Sequence, residues 1–209
     1  MFKNKSIWHG CMKVIIVSGT SGTGKTTLAK QLAKKLNFHY LDVNKIIKKY
    51  KISEGYDKKR KTKIIDVKKL NKTLIKEIKK YKSSIKKLTI QKNSMINSNK
   101  KIKNNNNKLI KIKKNIKEIK NGIIIDSHLS HYFPSKYVDL CIVTKCNLKE
   151  LENRLKNKKY SKDKVRENLD AEIFDICLNE AKENKHKIIT IDTTKGINII
   201  KISREVDRL

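Results

Sequence analysis

The first ordered pattern along the chain is a short apolar run, Val14 to Ser18 (VIIVS), closed by a glycine and lacking any polar alternation. A run of that length with no polar face predicts a strand buried on both sides. Leu28, Ala29, Leu32, Ala33 and Leu36 then fall at steps of three and four, which predicts a helix over Thr26 to Leu36. Four further strand signals follow: Phe38 to Val43 (FHYLDV), Gly122 to His128 (GIIIDSH), Val138 to Thr144 (VDLCIVT) and Lys187 to Asp192 (KIITID). Helical patterns separate most of them. Strands alternating with helices predict an α/β fold, a parallel sheet with helices on both faces whose ligands bind beyond the carboxyl ends of the strands.

Between the second and third strand signals the pattern changes. Residues 76 to 120 hold sixteen lysines and eight asparagines against two glutamates, with no glycine or proline, and include NSNKKIKNNNN at 97 to 107. The apolar residues keep helical time: Leu70, Leu74, Ile78, Tyr81, Ile85 and Leu88 step by four and three, as do Leu109, Ile112, Ile116 and Ile119. Two readings stay open, a pair of helices joined by an asparagine-rich loop, or a solvated low-complexity insert over about 82 to 118.

Composition narrows the picture. A chain of 209 residues suffices for one α/β core with a small appendage and not for two full domains. Lys and Arg number 52 against 20 Asp and Glu, a formal charge of +32, which points to polyanionic partners. Arginine occurs only at positions 60, 154, 166, 204 and 208, so the excess is almost all lysine and is consistent with an AT-rich coding sequence. Cys11, Cys141, Cys146 and Cys177 form no C-x-x-C pair, and no histidines stand at zinc-finger spacing, so reduced thiols are expected rather than a zinc site or disulfide framework. No apolar run reaches the roughly 18 residues of a membrane span, and Met1 to Met12 lacks a signal-peptide core. A soluble, cytoplasmic protein with no membrane partner is expected, with residues 1 to 11 as an extension ahead of Met12.

The densest chemistry lies between the first strand and helix. Gly19 to Thr26, GTSGTGKT, matches the phosphate-binding loop G-x-x-x-x-G-K-[ST] in a chain with only seven glycines. Glycines at 19, 22 and 24 let the backbone curl and bring successive N–H groups onto one anion. Lys25 is placed to reach the β and γ phosphates of ATP, the Thr26 hydroxyl to ligate Mg²⁺, and the helix start to add its partial positive charge. Thr23, within the same loop, completes the candidate nucleotide-binding set. Asp126 ends the third strand after three isoleucines, where a carboxylate can hold the Mg²⁺ shell. His128 follows in DSHLSH, where a neutral imidazole could orient a water or an acceptor oxygen. The fourth strand leads into VTKCN rather than N-K-x-D, which excludes a regulatory GTPase.

In order and spacing, GTSGTGKTTLAKQLAKKL, YLDVNKI, GYDKKR, IIIDSHLSHYFP, VDLCIVTKC, LENRLKNKKYSKDKVRENLDAEI and IDTT resemble the small adenylate kinases of archaea and eukaryotes, a family that includes human adenylate kinase isoenzyme 6, also called coilin-interacting nuclear ATPase protein. DSHLSHYFP is similar to the archaeal branch. The resemblance spans nearly everything outside residues 1 to 11 and 82 to 118. It implies a P-loop, nucleoside-monophosphate kinase-like fold over 12 to 209, an AMP-binding region at about 42 to 65 and a lid at about 157 to 167. It further implies ATP contacts from Gly22, Gly24, Lys25, Thr26, Thr27, Lys158 and Lys195. The activity implied is phosphoryl transfer from MgATP to AMP, with an ATPase role in maturing the small ribosomal subunit beside ribosomal protein uS11 and small-subunit rRNA. A monomer is the favoured state. The lid departs from the resembled R-G-Y, carrying Lys158, Lys159 and Tyr160. Lysine cannot fork onto phosphate as guanidinium does, so the expectation is either a weaker lid grip or one that falls to Arg154 or Arg166 as catalytic residues. Two further readings stand beside AMP phosphorylation: an assembly ATPase working chiefly on uS11 and rRNA, and another small-molecule kinase of the same fold.

Overall fold

The computed structural model of the chain describes residues 12–58, 60, 62–99 and 122–208. In chain order the elements are β1 (Lys13–Ser18), α1 (Lys25–Leu36), β2 (His39–Asp42), α2 (Val43–Tyr50), β3 (Ser53–Asp57), β4 (Thr62–Ile65), α3 (Val67–Asn99), β5 (Gly122–Asp126), β6 (Leu140–Lys145), α4 (Leu148–Asn157), α5 (Lys162–Ile173), α6 (Ile176–Glu183), β7 (Ile188–Asp192) and α7 (Ile199–Asp207). Short 3₁₀ turns at Ser130–Tyr132 and Ser135–Tyr137 fill the link from β5 to β6. The main sheet runs β2-β5-β1-β6-β7, and every pair of neighbours is parallel.

Helices cover both faces because successive strand residues point opposite ways. Val14 and Ile16 of β1 join Ile123 and Ile125 of β5 in a core closed by α2, α3 and Ala181 of α6. Ile15 and Val17 point to the other side, where Leu28, Leu32 and Ala33 of α1 and Ile202 and Val206 of α7 cover them. Each such isoleucine contributes roughly 1.5–3 kcal/mol of burial, which is why runs with no polar face occupy the sheet centre. A third, smaller core of Cys146, Leu151, Leu155 and Val165 holds α4 against α5.

Each strand signal corresponds to a strand, with ends displaced. Phe38 precedes β2; its ring packs where a side chain on Gly122 would sit, since a Cβ there would lie 2.4 Å from it. β5 stops at Asp126, which puts His128 in the turn beyond, and β6 begins at Leu140 and continues to Lys145. β3 and β4 carry no signal in the sequence reading. They form a separate antiparallel hairpin with mostly exposed residues, so neither apolar alternation nor a buried run marks them.

The helix expected from Leu70 onward is α3. Leu70, Leu74 and Ile78 are buried, Tyr81 and Ile85 pack on the same core, and the Tyr81 ring stacks on His39 at 4.6 Å between centroids. The core contact therefore extends to Ile85, three residues inside the expected start of the insert at 82. The asparagine-rich stretch beyond Asn99, the second helical pattern and residues 1 to 11 with Cys11 lie outside the described residues. Cys141, Cys146 and Cys177 are free thiols. No helix among the described residues is long and apolar enough to cross a membrane.

Candidate active site

The loop from Gly19 to Gly24 connects β1 to α1 with a backbone that side chains would oppose. Gly19, Gly22 and Gly24 have φ of 136°, 96° and 82°. A Cβ on Gly19 would sit 2.6 Å from the Thr144 carbonyl oxygen, and one on Gly22 2.7 Å from Leu151 Cδ1. Two reasons therefore require glycine here, the left-handed backbone and the absence of room against β6 and α4. The loop is also tied from behind. The Thr23 hydroxyl, fully buried, bonds the Thr20 carbonyl at 2.8 Å and Thr144 Oγ1 at 2.7 Å, while the Thr193 hydroxyl donates to the Thr23 carbonyl at 2.8 Å. Thr23 thus serves the loop's shape through its side chain, and only its backbone is available to an anion.

Gly24 caps α1 without a side-chain acceptor, so the first N–H groups of the helix face the cleft. Lys25 starts the helix, and its Nζ donates to the Thr20 carbonyl at 2.7 Å. Packing around the cleft floor pushes this amine down to about 8, against the opposing pull of Cys177 and Asp126 and with the help of the Lys158 charge. Anionic phosphates would relieve that penalty. Thr26 and Thr27 are exposed into the same cleft.

Asp126 lies on the strand next to β1, so its carboxylate comes to the cleft wall facing the loop, and it is 5% exposed. Tyr40 of β2 donates its hydroxyl to Asp126 Oδ2 at 2.8 Å. Burial, together with that bond, raises the Tyr40 hydroxyl well above the ordinary phenol range. Tyr40 was not singled out in the sequence; the only available signal was its place in the second strand, two residues before Asp42. Among the described residues no group of three or more His, Cys, Asp or Glu could hold a metal. One carboxylate and one threonine hydroxyl suit Mg²⁺, which keeps several waters and takes its other oxygens from phosphates, and they do not suit zinc.

His128 stands in the turn at the cleft mouth, exposed to solvent itself but ringed by protein and cations. Desolvation by its surroundings, then Lys25, His131 and Lys164, pushes it down to about 4, so it is a neutral imidazole near pH 7. Behind it, His131 is buried, with Nδ1 2.6 Å from Ser18 Oγ. Its Nε2 lies 2.8 Å from Glu180 Oε2, yet off the ring N–H direction, so the contact is not an aligned hydrogen bond. Burial pushes His131 to about 4, helped by His186 and Lys25, and burial lowers His186 as well. Between about pH 6.5 and 4 the unfolded chain binds more protons at His131 than the folded one, and the lowered His186 acts in the same direction, so stability is present above that window and is lost as pH falls through it. A thermal midpoint that drops steadily from pH 7 to pH 4.5 is expected; a midpoint unchanged over that range would contradict the buried neutral histidines.

The segment expected as a lid, about 157 to 167, spans the end of α4, a turn and the start of α5. Lys159 has φ 56°, so the position where the resembled family carries glycine keeps a left-handed backbone without one. Lys158 and Tyr160 line the cleft, and Tyr160 Oη lies 3.4 Å from Ser21 Oγ of the phosphate loop. The arginines behave differently from each other. Arg154 borders the cleft, but its guanidinium donates to Glu150 Oε1 at 2.7 Å, to Thr193 Oγ1 at 3.2 Å and to the carbonyls of Thr193 and Thr194 at 2.9 and 3.3 Å. Arg166 is exposed on α5 and does not line the cleft. Lys195 lines a shallow neighbouring depression with Asn147 and Asp192, beside the main cleft rather than in it.

One cleft of about 1090 Å³ joins these parts, running from Asn44 of α2 and Thr62 of β4, across Lys25 and Asp126, to Lys158 and Tyr160. The volume exceeds the roughly 300–1,000 Å³ typical of a single-ligand pocket. A family model described as an AAA domain matches residues 15–175. The "Putative adenylate kinase" of Methanocaldococcus jannaschii is 31% identical over 180 residues, covering 86% of this chain and 76% of that protein. The adenylate kinase isoenzyme 6 homolog of Schizosaccharomyces pombe is 29% identical over 178 residues (85% and 79%), and that of Caenorhabditis elegans 27% over 170 residues (81% and 72%). A parallel sheet in the order β2-β5-β1-β6-β7, a phosphate loop backed by its own glycines, and these relatives agree: the chain is a P-loop kinase and belongs to the family of small adenylate kinases shared by archaea and eukaryotes.

Proposed function

We propose that the chain transfers the γ-phosphate of MgATP to AMP, giving two ADP. The observation that carries this reading is the continuity of the cleft, with the phosphate loop as its floor and separate walls at either end for two nucleotides. Residues 12 to 209 form the kinase domain, with α2 and the β3–β4 hairpin as the acceptor region within 42 to 65 and the lid within 157 to 167. Loop N–H groups and Lys25 hold the β and γ oxygens; Thr26 and Asp126 hold Mg²⁺, with Tyr40 fixing one carboxylate oxygen. Bound there, Mg²⁺ would supply charge neutralisation for the phosphate oxygens. Catalysis is otherwise positioning and fixed charge, and closure of lid and hairpin keeps water from competing with AMP. With the acceptor end empty, the same machinery supports slower ATP hydrolysis. The test is ADP formation with AMP, CMP, UMP and no acceptor; AMP should give the fastest rate, and equal rates in all four would overturn the reading.

A second role rests on charge. The exposed side of α3 carries Lys68, Lys72, Lys76, Lys79, Lys86 and Lys87, in a chain of net charge +32. That supports an ATPase cycle linked to small-subunit rRNA and uS11, as the family resemblance implies. Because α3 packs on the core as far as Ile85, a glycine–serine loop replacing residues 90 to 119 should leave the kinase rate intact, and a loop replacing 82 to 118 should destabilise the fold. RNA affinity should fall and its salt dependence flatten in the first variant, since fewer lysines release counterions. Unchanged RNA affinity and slope would remove the segment from any RNA role.

A further inference from the structure

The lid needs a cation on the phosphoryl group in flight, and neither lid arginine is placed to supply it. Arg154 has its guanidinium engaged by Glu150, Thr193 and Thr194. Arg166 stays outside the cleft for a reason of helix geometry. Val165 is buried in the small lid core, and Glu172 is buried with its Oε1 accepting from the Cys146 N–H at 3.0 Å, which together fix the rotation of α5. With α5 so turned, Lys164, Asn168 and Ala171 form the stripe that lines the cleft. Arg166, two residues past Lys164, lies about 200° further round the helix.

We infer that Lys164 is a catalytic residue, a lid cation that contacts the γ-phosphoryl oxygens during transfer. The inference rests on the reading of phosphoryl transfer given above. Lys164 is half-buried, and its Nζ sits 4.7 Å from the centre of the Tyr160 ring, the same tyrosine whose hydroxyl reaches Ser21 of the phosphate loop. A lysine over an aromatic face at a partly wet site gains only about 0.5–1 kcal/mol, so a phosphoryl group would draw it off that ring. In the step, an oxygen of the AMP phosphate bonds to the γ-phosphorus as the bond from that phosphorus to the β–γ bridging oxygen breaks, and the electron pair stays with the departing ADP. Lys164 keeps its proton throughout and offsets charge on the transferring oxygens.

The experiment compares Lys164→Met, Lys164→Arg and Arg166→Ala in ADP formation, with MgATP affinity from a fluorescent nucleotide and the thermal midpoint measured on each. Lys164→Met should lower kcat by about a hundredfold, a typical cost of losing one preorganised contact to the transition state. Its MgATP affinity should stay within about threefold, because a contact made only in transfer changes kcat rather than binding. Lys164→Arg should recover most of the rate, and Arg166→Ala should match the parent protein. A folded Lys164→Met protein with kcat within about threefold of the parent, or an equal loss in Arg166→Ala, would overturn the assignment. If the parent itself forms no ADP from AMP, the acceptor reading fails alone. The same variants are then read on ATP hydrolysis without acceptor, where the γ-phosphoryl charge is the same, and the same two results decide Lys164.

Discussion

Lys25→Ala should lower phosphoryl transfer by at least about a hundredfold while the protein stays folded, the scale expected for one preorganised charge aimed at the transition state. The Lys25 amine donates to the Thr20 carbonyl, and burial by the surrounding protein holds it down at about 8. Folding therefore places a cation where it is poorly solvated, and on the proposed reading a triphosphate would stabilise it. Removing the amine relieves that desolvation, so the thermal midpoint should hold or rise. The loop itself is held by Thr23, Thr144 and Thr193 and not by Lys25. The measurement is kcat/KM for ADP formation beside a melting curve. Near-parental turnover in a folded Lys25→Ala protein would falsify the assignment of this loop to catalysis.

Asp126→Asn should remove both AMP phosphorylation and ATP hydrolysis, because both draw on the same Mg²⁺. Asparagine keeps the size and can still accept from the Tyr40 hydroxyl, so the local bond at 2.8 Å survives while the negative charge is lost. On the proposed reading Mg²⁺ would take few protein ligands here, since no acidic or imidazole cluster supplements Asp126 among the described residues, and losing the one charged candidate ligand should be severe. A readout independent of turnover is nucleotide affinity with and without Mg²⁺. The parent protein should bind ATP more tightly with the metal, and Asp126→Asn should show little difference. An Asp126→Asn protein with unaltered Mg²⁺ dependence would assign the residue to structure alone.

The fold was readable where structure is local. Val14 to Ser18 and Gly122 to Asp126 are apolar on both faces, a pattern only a central parallel strand satisfies, and each is a strand of that kind. Helix α1 was equally plain, since its apolar stripe repeats at helical spacing; the structure adds that Asn37 closes it with a left-handed backbone. The hairpin of β3 and β4 was not readable, because exposed strands feel no pressure to alternate. The lid arginines illustrate a further limit. Their residue type was a sound reason to expect phosphate contacts, but a helix shows any given position to only one side, and the packing of Val165 and Glu172 turned α5 so that Lys164 faces the cleft.

The sequence by itself determined the nucleotide loop, the parallel α/β class and the candidate metal carboxylate, because each is written in residues within a few positions of one another. Tertiary structure alone decided what surrounds them. Tyr40 reaches Asp126 across 86 positions, Ser18 meets His131 across 113, and Thr193 supports Thr23 across 170. Those meetings follow from the strand order β2-β5-β1-β6-β7, which brings the carboxyl ends of distant strands to one edge of the sheet. Strand order is chosen by which apolar faces bury one another best over the whole chain, a sum over long-range contacts that no short window of sequence contains.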